Sequence, residues 1–542
     1  MQRDIEKLTG RAFDVLVVGG GIHGLTIAYD AAQRGLSVAL VERADFGGGA
    51  SFNHLRTIHG GLRYLQSLDL RRARESVRER RTLARIAPHA VRPLPFALPL
   101  YRSLLKGKLA MRLGFRLDRL LACDRNLGVP AALRLPGGGV VSRTEAIERF
   151  PGLGRRGLTG AAVWHDYTMP EADRLTLTWA IAATEHGAVL SNYVEAIAPL
   201  TDKGRVVGVR AADRRTDREI EIAATLTVNA SAGSFDRRFP ASPTIPPPPR
   251  LKAMNLVTRR DAGDEALGGR TASGRHLFLV PSRNRAVFGT WESDRLLPAG
   301  ESTRPTEAEV STFIAELNQA FPSLDLGRDD VTLVHYGAVP ATVTRDGRVA
   351  LQGHDRIRDH AEEGLDGLLS VVGAKYTTAR AVAERVTDRL MSKMRRAPMA
   401  CRTASGSLPG GGVRDVTAAI GEARRLHDAG LPSDTVPHLV AAYGSRYEQV
   451  VALAAERSEW RARIADDSPV VGAELVWAVR REMAVTLSDA VIRRTPLGAM
   501  GFPGEPALQR AADLVGSELG WSDERRRQEM DDVRRFYFIE PG

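Results

Sequence analysis

A glycine cluster directly after a short apolar run constrains this 542-residue chain more than any other feature. Residues 13–18, FDVLVV, predict a buried parallel strand. Gly19-x-Gly21-x-x-Gly24 follows at once, and LTIAYDAAQRG then has helical spacing and ends at a glycine. SVALVE predicts a second strand, which Glu42 closes. Strand, turn, helix and strand together predict one βαβ unit of a doubly wound sheet.

The three glycines have separate roles in a dinucleotide site. Gly19 forms the tight turn, Gly21 lets the backbone approach a pyrophosphate, and Gly24 lets helix and strand pack closely. The helix N-terminus offers unpaired N–H groups and a positive dipole end to the phosphates. Glu42, an acid about 20 residues on, can accept hydrogen bonds from both ribose hydroxyls and would repel the extra phosphate of NADP. The alternative is a glycine-rich turn without a ligand.

The position of the motif and a second strand end indicate FAD as the dinucleotide. The motif lies at the start of the chain, and IEIAATLTVNASAG (220–233) predicts a strand that returns to the same sheet edge. Ala230 and Ser231 stand at the C-terminal end of that strand. A long flavin dinucleotide needs such a second strand end of small residues near its phosphates and ribityl chain.

Composition and charge limit the class of protein and the partners that this chain can have. Hydrophobic residues make up 43% and charged residues 26% of the chain, as in ordinary globular proteins, and the length predicts about three domains. The net charge of +11 is spread along the chain without a recognition motif, so we expect no nucleic-acid partner. Cys123 and Cys401 form no CxxC pair, so we expect neither a disulfide nor a metal site. The charged start MQRDIEKLTG and the lack of a long apolar run predict a cytoplasmic protein without a membrane span.

The stretch ASFNHLRTIHGGLRYLQ (50–66) carries a resemblance to a known family. It closely resembles the signature of the FAD-dependent, aerobic glycerol-3-phosphate dehydrogenases, whose core IHGGLRYL stands intact from Ile58 to Leu65. Further matches occur in the family's order and cover nearly the whole chain. They are RIAPHAVRPLPFALPLY (85–101), ADRLTL (172–177), VNAS (228–231), VGAKYTTAR (372–380), LPGG (408–411) and ELVWAVRREMAVTLSDAVIRRTPLG (474–498).

The resemblance implies an α/β fold. A doubly wound, Rossmann-type FAD-binding domain is interleaved with a mixed antiparallel-sheet substrate domain, and a helical C-terminal domain follows. The expected segments are 10–95, 173–240 and 365–400 for the FAD-binding domain, 96–172 and 250–350 for the substrate domain, and 405–542 for the helical domain. The sequence itself supports this division, because short strands alternate with loops and one helix (306–320) from 251 to 350, and the chain becomes helical after LPGGG (408–412).

The family oxidises sn-glycerol 3-phosphate to dihydroxyacetone phosphate and passes the electrons to membrane quinone or, in some members, to oxygen. The resemblance implies that His59, Gly60 and Gly61 wrap the flavin, and that Arg63 and Tyr64 point towards an anionic substrate. Lys375 precedes a helix whose positive N-terminus can stabilise charge on the reduced flavin. The predicted catalytic residues are His59, Arg63, Tyr64, Arg345 and Lys375. The predicted cofactor-binding residues are Gly19, Gly21, Gly24, Glu42, His59, Gly60, Gly61, Val194, Ala230, Ser231, Gly373, Lys375 and Thr377.

Three departures from the family pattern concern the substrate side. The family stretch K-G-S-H ends here in Asn255, which can hydrogen-bond a hydroxyl but cannot take its proton. The family stretch G-V-R-P, whose arginine is thought to hold the substrate phosphate, has Val339 instead, and G-T-T-D has become the bulkier sequence that contains Trp291. Arg345 in VTRDG matches a second phosphate-side arginine. Loss of a bidentate Arg–phosphate contact removes about 1.5–3 kcal/mol of binding.

Three functions are therefore compared. The first is oxidation of sn-glycerol 3-phosphate by a protein that lies peripherally on the inner face of the membrane. The second is a same-family FAD oxidoreductase or oxidase that acts on a different alcohol or an amine. The third is a flavin-bound module without turnover, which would have no need of His59, Arg63 and Lys375. The oligomeric state stays open, a homodimer included.

Residues 102–121, RSLLKGKLAMRLGFRLDRLL, predict a contact with a membrane surface. The basic residues Lys106, Lys108, Arg112, Arg116 and Arg119 alternate with Leu105, Leu109, Leu113 and Leu117. In a helix these leucines share one face and the basic side chains flank it, which is typical of an interfacial helix. The alternative is a helix packed on the protein's own core.

We predict that the purified protein is yellow and carries tightly bound, non-covalent FAD. Gly21→Val should prevent FAD binding, because its side chain would enter the space of the pyrophosphate. The measurement is the visible absorbance and the flavin released on denaturation of each protein. A colourless wild-type protein that added FAD cannot reconstitute would contradict the prediction.

Overall fold

Two β-sheets and a helical region make up the protein. The computed structural model describes residues 1–65, 67–101, 107–150, 155, 157–232, 235, 248–271, 273–298, 300–373, 375–426 and 430–539. Residues 102–106 of the predicted membrane segment and most of the proline-rich stretch 240–250 lie outside the described residues.

The strands of the described chain are β1 (Ala12–Val18), β2 (Val38–Val41), β3 (Thr57–Ile58), β4 (Arg92–Tyr101), β5 (Gly139–Ser142), β6 (Leu158–Thr168), β7 (Val189–Ser191), β8 (Val194–Asp202), β9 (Arg205–Asp213), β10 (Glu219–Asn229), β11 (Arg250–Thr258), β12 (Ala266–Arg270), β13 (His276–Ser282), β14 (Arg285–Glu292), β15 (Val331–Val343), β16 (Val349–Leu351), β17 (Arg356–Asp359) and β18 (Leu368–Val372). The helices are α1 (Ile22–Gln33), α2 (Leu62–Leu65), α3 (Leu70–Ile86), α4 (Lys108–Leu121), α5 (Arg143–Arg149), α6 (Ala172–Glu185), α7 (Glu307–Ala320), α8 (Ala379–Lys393), α9 (Val416–Leu426), α10 (Thr435–Tyr443), α11 (Tyr447–Glu456), α12 (Ser458–Arg461), α13 (Gly472–Glu482), α14 (Glu505–Leu519) and α15 (Asp523–Tyr537). A π-helix spans Asp489–Arg494.

The first sheet has the strand order β17-β18-β10-β1-β2-β7, and the β8–β9 hairpin joins it through β10. Its centre is parallel, since β1 pairs in parallel with β10 and β2, and β10 pairs in parallel with β18. α1, α6 and α8 cover one face, and the β8–β9 hairpin covers the other. Burial on both faces explains the continuous apolar run of β1. The predicted doubly wound, parallel sheet is confirmed.

The second sheet has the order β16-β15-β11-β14-β13-β12-β4-β6-β3, with β5 on β6. Among its described pairs, all are antiparallel except β4 with β12. β4 carries Pro93, Pro95 and Pro99, and it tolerates them because β12 pairs only with Phe96 and Ala97 between them. α7 packs on one face of the β11–β15 region. The predicted mixed antiparallel sheet is thus present.

Buried ion pairs join the helical region to the first sheet. Asp45, in the loop after β2, accepts hydrogen bonds from Arg494 NH1 at 2.6 Å and NH2 at 2.8 Å and from Arg493 Nε at 2.6 Å. On α6, Arg174 binds both carboxylate oxygens of Glu482, at 2.5 and 2.8 Å. Burial by itself would raise the pKa of Asp45, but the charges of Arg494 and Arg493 outweigh it and hold the pKa below its usual range. In the described part of the chain, no helix is long and apolar enough to cross a bilayer.

We expect Asp45→Asn to lower the free energy of unfolding by about 3–5 kcal/mol, because it leaves two buried arginines without their carboxylate. Since the folded-state pKa of Asp45 is lowered, its contribution is complete above the carboxyl group's ordinary pKa and is lost as the pH falls through the lowered value. Denaturant unfolding at neutral and acidic pH measures both effects. Asp531→Asn, which breaks an exposed pair with Arg534, is the control and should cost about 1 kcal/mol or less. Equal losses for the two variants would contradict the prediction.

Candidate active site

The carboxyl ends of β1 and β10 meet the start of α1 at the predicted glycines. Gly19 has a φ of +108°, and a Cβ there would lie 2.9 Å from the Ala230 carbonyl carbon. A Cβ on Gly24 would lie 1.8 Å from the Gly19 carbonyl oxygen, so both positions require glycine. Gly21 differs, because a Cβ there would meet only Ser51 Oγ, at 3.3 Å. Gly21 gives α1 no side-chain cap, and although Ser51 Oγ accepts from Ile22 N, the positive end of the helix dipole still faces this edge and favours an anion.

Glu42 is held by backbone groups on both sides. Its carboxylate accepts hydrogen bonds from Gly20 N at 2.6 Å and Ala44 N at 2.9 Å. Val194 N donates to the Glu42 carbonyl at 2.8 Å, so the predicted Val194 supports this loop. Burial raises the pKa of Glu42, and the two amide hydrogen bonds offset part of that rise.

The carboxyl ends of β10 and β18 form the rest of this edge of the first sheet. Ala230 N donates to the Val18 carbonyl at 2.8 Å, and Ser231 donates to Asn229 Oδ1 from its amide at 3.1 Å and its hydroxyl at 2.7 Å. Gly373 follows β18 and packs on the ring of His23, since a Cβ there would lie 2.0 Å from that ring. The structure therefore brings the predicted residues of β1, β10 and β18 to one place.

These residues fit a flavin dinucleotide. The loop 50–56 lies between α1, where Ser51 Oγ accepts from Ile22 N at 2.9 Å, and Tyr376, whose ring centroid is 5.1 Å from that of His54. Within the described residues, the buried His54 Nε2 has no hydrogen-bond partner, whereas Nη1 of the buried Arg56 lies 3.1 Å from the Asp173 carboxylate. Burial, with the charge of Arg56, lowers the pKa of His54 to about 3. Because His54 Nδ1 accepts a hydrogen bond from Arg56 N, Nε2 carries the hydrogen and needs an acceptor, which a flavin carbonyl or ring nitrogen can supply.

Gly60 and Gly61 bring the signature loop against α3. A Cβ on Gly60 would lie 2.2 Å from Arg80 NH1, and one on Gly61, whose φ is +86°, would lie 2.9 Å from Ser76 Cβ. We predicted that these glycines allow close approach to the flavin. In the structure they allow close approach of α3, and a flavin contact stays a prediction.

His59 is hydrogen-bonded at both ring nitrogens. Nδ1 lies 3.1 Å from Asp166 Oδ2 and Nε2 lies 2.8 Å from Thr57 Oγ1. The ring contacts Phe96 edge-on, with 5.6 Å between centroids, and its side chain is 48% exposed. Asp166 and Thr57 were not found from the sequence, because nothing in a single chain indicates that β6 delivers an acid to this loop.

A group of cations surrounds Tyr64. Lys375 Nζ lies 3.5 Å and Arg72 Cζ 4.1 Å from the centre of the Tyr64 ring. Burial, together with the exposed Arg63, lowers the pKa of Lys375 to about 7. Glu292 faces the same group, and burial raises its pKa while Arg63 opposes the rise. The predicted Arg63, Tyr64 and Lys375 thus come together, and Arg72 and Glu292 join them.

Arg345 and Thr377 are the remaining predicted residues. Arg345 is exposed in the turn between β15 and β16, where Thr344 N donates to the Arg348 carbonyl at 2.8 Å. In the described chain, Arg345 makes no contact with the other predicted catalytic residues. Thr377 is buried just before α8, which begins at Ala379, two residues later than predicted.

The substituted family positions fall on two different faces of the second sheet. Asn255 on β11 pairs with His335 on β15 and accepts a hydrogen bond from Thr290 Oγ1 at 2.9 Å. Alternation along β15 places Val339 on the same face. The expectation that Trp291 adds bulk on the substrate side is wrong, because Trp291 packs with α7 on the opposite face. Successive side chains of β14 lie on opposite faces of the sheet, so the side chain of Glu292, which follows Trp291, lies on the face near Arg63.

Comparisons with known proteins agree with this geometry. A family model described as "FAD dependent oxidoreductase" matches residues 14–389, and one described as "C-terminal domain of alpha-glycerophosphate oxidase" matches residues 401–526. The chain is 32% identical to the mitochondrial glycerol-3-phosphate dehydrogenase of Mus musculus, over 98% of this chain and 74% of that one. It is 29% identical to a glycerol-3-phosphate dehydrogenase of Synechocystis, over 96% of both chains. The structure is similar to that of the Bacillus halodurans glycerol-3-phosphate dehydrogenase complexed with FAD, with a TM-score of 0.77, 25% identity and coverage of 98% and 96%.

We predict that the pKa of Lys375 is about 7, well below that of an ordinary lysine. Competitive acetylation across a pH series, mapped by mass spectrometry, gives the midpoint of each lysine. Lys393 is the control: burial by itself would lower its pKa, but its ion pairs with Asp359 and Asp366 outweigh burial and raise the pKa. Arg63→Gln should raise the Lys375 midpoint, because Arg63 is the second cause of the shift after burial. A Lys375 midpoint as high as that of Lys393 would contradict the prediction.

Proposed function

Because this chain belongs to the FAD-dependent glycerol-3-phosphate dehydrogenase family, we propose that it oxidises sn-glycerol 3-phosphate to dihydroxyacetone phosphate and passes the electrons to a quinone or another acceptor. The chain is an FAD-dependent oxidoreductase with a small-molecule substrate. FAD, when bound, supplies the two-electron acceptor for the carbinol hydrogen. Gly21, Glu42 and the start of α1 are proposed to hold its pyrophosphate and ribose.

The observation that carries the substrate proposal is the group of cations around Tyr64. Arg63, Arg72 and Lys375 converge there, and charged donors of this kind bind phosphate oxygens with short, strong hydrogen bonds. They offset the missing arginine at position 339, so a phosphate monoester remains a suitable substrate. Phosphate binding should also raise the share of protonated Lys375, because an anion favours the charged form of its neighbour.

Anaerobic bleaching of the bound flavin tests the function. We expect sn-glycerol 3-phosphate to abolish the visible flavin absorbance, and glycerol to do so only at a much higher concentration, because it lacks the phosphate. Arg63→Gln should raise the concentration for half-maximal reduction about tenfold to a hundredfold. Arg348→Gln is the control, since Arg348 is an exposed arginine that pairs with Asp346.

Each alternative function gives its own result in this experiment. Equal bleaching by glycerol and its phosphate would favour an alcohol oxidoreductase that does not read the phosphate. Bleaching by an amine, without bleaching by glycerol or sn-glycerol 3-phosphate, would favour an FAD oxidoreductase of the same family that acts on amines. A flavin that no substrate reduces, but dithionite does, would indicate a module without turnover.

We further propose that α4 docks on an anionic membrane surface, at the inner face of the cell membrane. Its exposed leucines Leu109, Leu113 and Leu120 are 70%, 55% and 74% exposed. Arg112, Arg116 and Arg119 are exposed beside them. Exposed leucines flanked by arginines suit the headgroup region of anionic lipids, and the net charge of +11 adds attraction.

The same helix also packs on the protein, through Phe115. Phe115 is buried with Leu100 and Ala162, and Leu62 of α2 packs against this cluster. α2 also carries Arg63 and Tyr64, so the proposed membrane surface lies next to the group of cations around Tyr64. This proximity favours a lipid-soluble quinone as the electron acceptor.

We expect the wild-type protein to sediment with vesicles that contain anionic lipid, and Leu109→Gln/Leu113→Gln to lose most of this binding. Arg112→Gln/Arg116→Gln should weaken it at least tenfold, at about 1 kcal/mol for each basic residue. Val343→Gln removes an apolar side chain that is 52% exposed outside α4 and serves as the matched control. Equal sedimentation of all four proteins would exclude α4 as the docking surface.

A further inference from the structure

The buried carboxylate of Asp166 has four donors around it. It accepts from Gly60 N at 2.7 Å and Trp164 Nε1 at 3.2 Å, it forms an ion pair with Arg80, and its Oδ2 lies 3.1 Å from His59 Nδ1. Its side chain is only 3% exposed. Burial by itself would raise the pKa of Asp166, but Arg80, His59 and the Gly60 amide outweigh it and the pKa is lowered. Asp166 is therefore an anion at neutral pH.

An ionised carboxylate can only accept hydrogen bonds, so the contact with His59 fixes the position of a proton. Nδ1 of His59 must carry the hydrogen that Asp166 accepts. In the neutral ring, Nε2 then holds a lone pair, and the Thr57 hydroxyl at 2.8 Å must be its donor. Because the His59 side chain is half exposed, a substrate hydroxyl can take the place of Thr57 on Nε2.

We infer that Asp166 is the positioning residue that makes His59 Nε2 the proton acceptor of the reaction. This inference rests on the proposed function. The hydroxyl O–H bond of the substrate breaks, its proton goes to Nε2, and its electron pair forms the carbonyl double bond. FAD, when bound, would take the carbinol hydrogen with its electron pair, which balances the two-electron oxidation. His59 becomes an imidazolium, and the adjacent carboxylate stabilises the charge. An anionic partner that orients and stabilises a histidine in this way is a recurring arrangement in enzymes.

Arg80 and Gly60 both hold the Asp166 carboxylate in place. Arg80 reaches Asp166 across the backbone of Gly60, where any Cβ would lie 2.2 Å from Arg80 NH1. A side chain at position 60 would therefore displace the arginine that keeps Asp166 ionised. Trp164 fixes the second oxygen of the carboxylate and stacks on Phe96, with 5.4 Å between ring centroids. Phe96 in turn supports the His59 ring.

A purely structural role for Asp166 is the competing explanation, because its contacts join β6, α3 and the signature loop. A double-mutant cycle on the full-length, FAD-loaded protein separates the two roles. The proteins are the wild type, Asp166→Asn, His59→Asn and the double variant. Anaerobic flavin reduction by sn-glycerol 3-phosphate is followed by rapid mixing.

We expect Asp166→Asn to slow flavin reduction about a hundredfold or more, because an asparagine N–H at this position favours the wrong tautomer. In the His59→Asn background the same substitution should change the rate by less than about threefold, since the group that it positions is gone. Asp531→Asn, the same substitution at an exposed carboxylate of α15, is the control and should stay within about threefold of the wild type. A hundredfold loss from Asp166→Asn in both backgrounds would overturn the inference.

The histidine tautomer gives a second readout that does not depend on turnover. In protein labelled with ring-¹⁵N histidine, the His59 signal is assigned by its loss in His59→Asn. The wild type should show hydrogen on Nδ1 and a bare Nε2, and Asp166→Asn should shift the signal towards the other tautomer. Hydrogen on Nε2 in the wild-type protein would refute the inference even if Asp166→Asn failed to fold.

The two readouts also separate this inference from the proposed function. If sn-glycerol 3-phosphate does not reduce the wild-type flavin, the proposed function fails and the tautomer alone decides the role of Asp166. If it reduces the wild type and Asp166→Asn equally fast, the function stands and the inference fails.

Discussion

The close approach of three backbone segments at the carboxyl edge of the parallel sheet is the constraint on which the rest of the structure depends. Gly19 touches the Ala230 carbonyl and Gly24 touches Gly19, so β1, β10 and α1 converge only where no Cβ intervenes. The same convergence places the start of α1, Glu42 and the end of β18 around one space. A dinucleotide binds there because parallel strands all present their carboxyl ends, and the α1 N-terminus its positive dipole, to the same side.

Buried carboxylates then hold distant parts of the chain against this edge. Asp45 binds Arg493 and Arg494 from the helical region, and Asp166 binds Arg80 from α3. Each acid stays ionised in the interior because an arginine neutralises it, and removal of either partner would leave an uncompensated charge. These pairs lie far apart in the sequence, so they are specific to the folded chain.

In the proposed function, side chains on other elements compensate for the family residues that Asn255 and Val339 replace. Asn255 and Val339 remove a base and a cation from one face of the second sheet. Arg63, Arg72 and Lys375 lie together on α2, α3 and the segment before α8, and in the proposed function they supply the cations. His59 supplies an imidazole from the signature loop. The lost and the supplied groups lie on different elements, so under the proposed function the second sheet can lose a charge without a change of fold.

The sequence by itself determined the doubly wound sheet, its dinucleotide edge, the second antiparallel sheet and the helical C-terminal region, because local periodicity and glycine spacing encode them. It also identified Arg63, Tyr64 and Lys375, which stand in short motifs. Only the tertiary structure decided that Gly60 makes room for Arg80, that Asp166 meets His59, and that Glu292 rather than Trp291 faces the substrate group. These outcomes depend on strand register and on contacts across more than a hundred residues, such as the 107 between His59 and Asp166, and no local pattern records them.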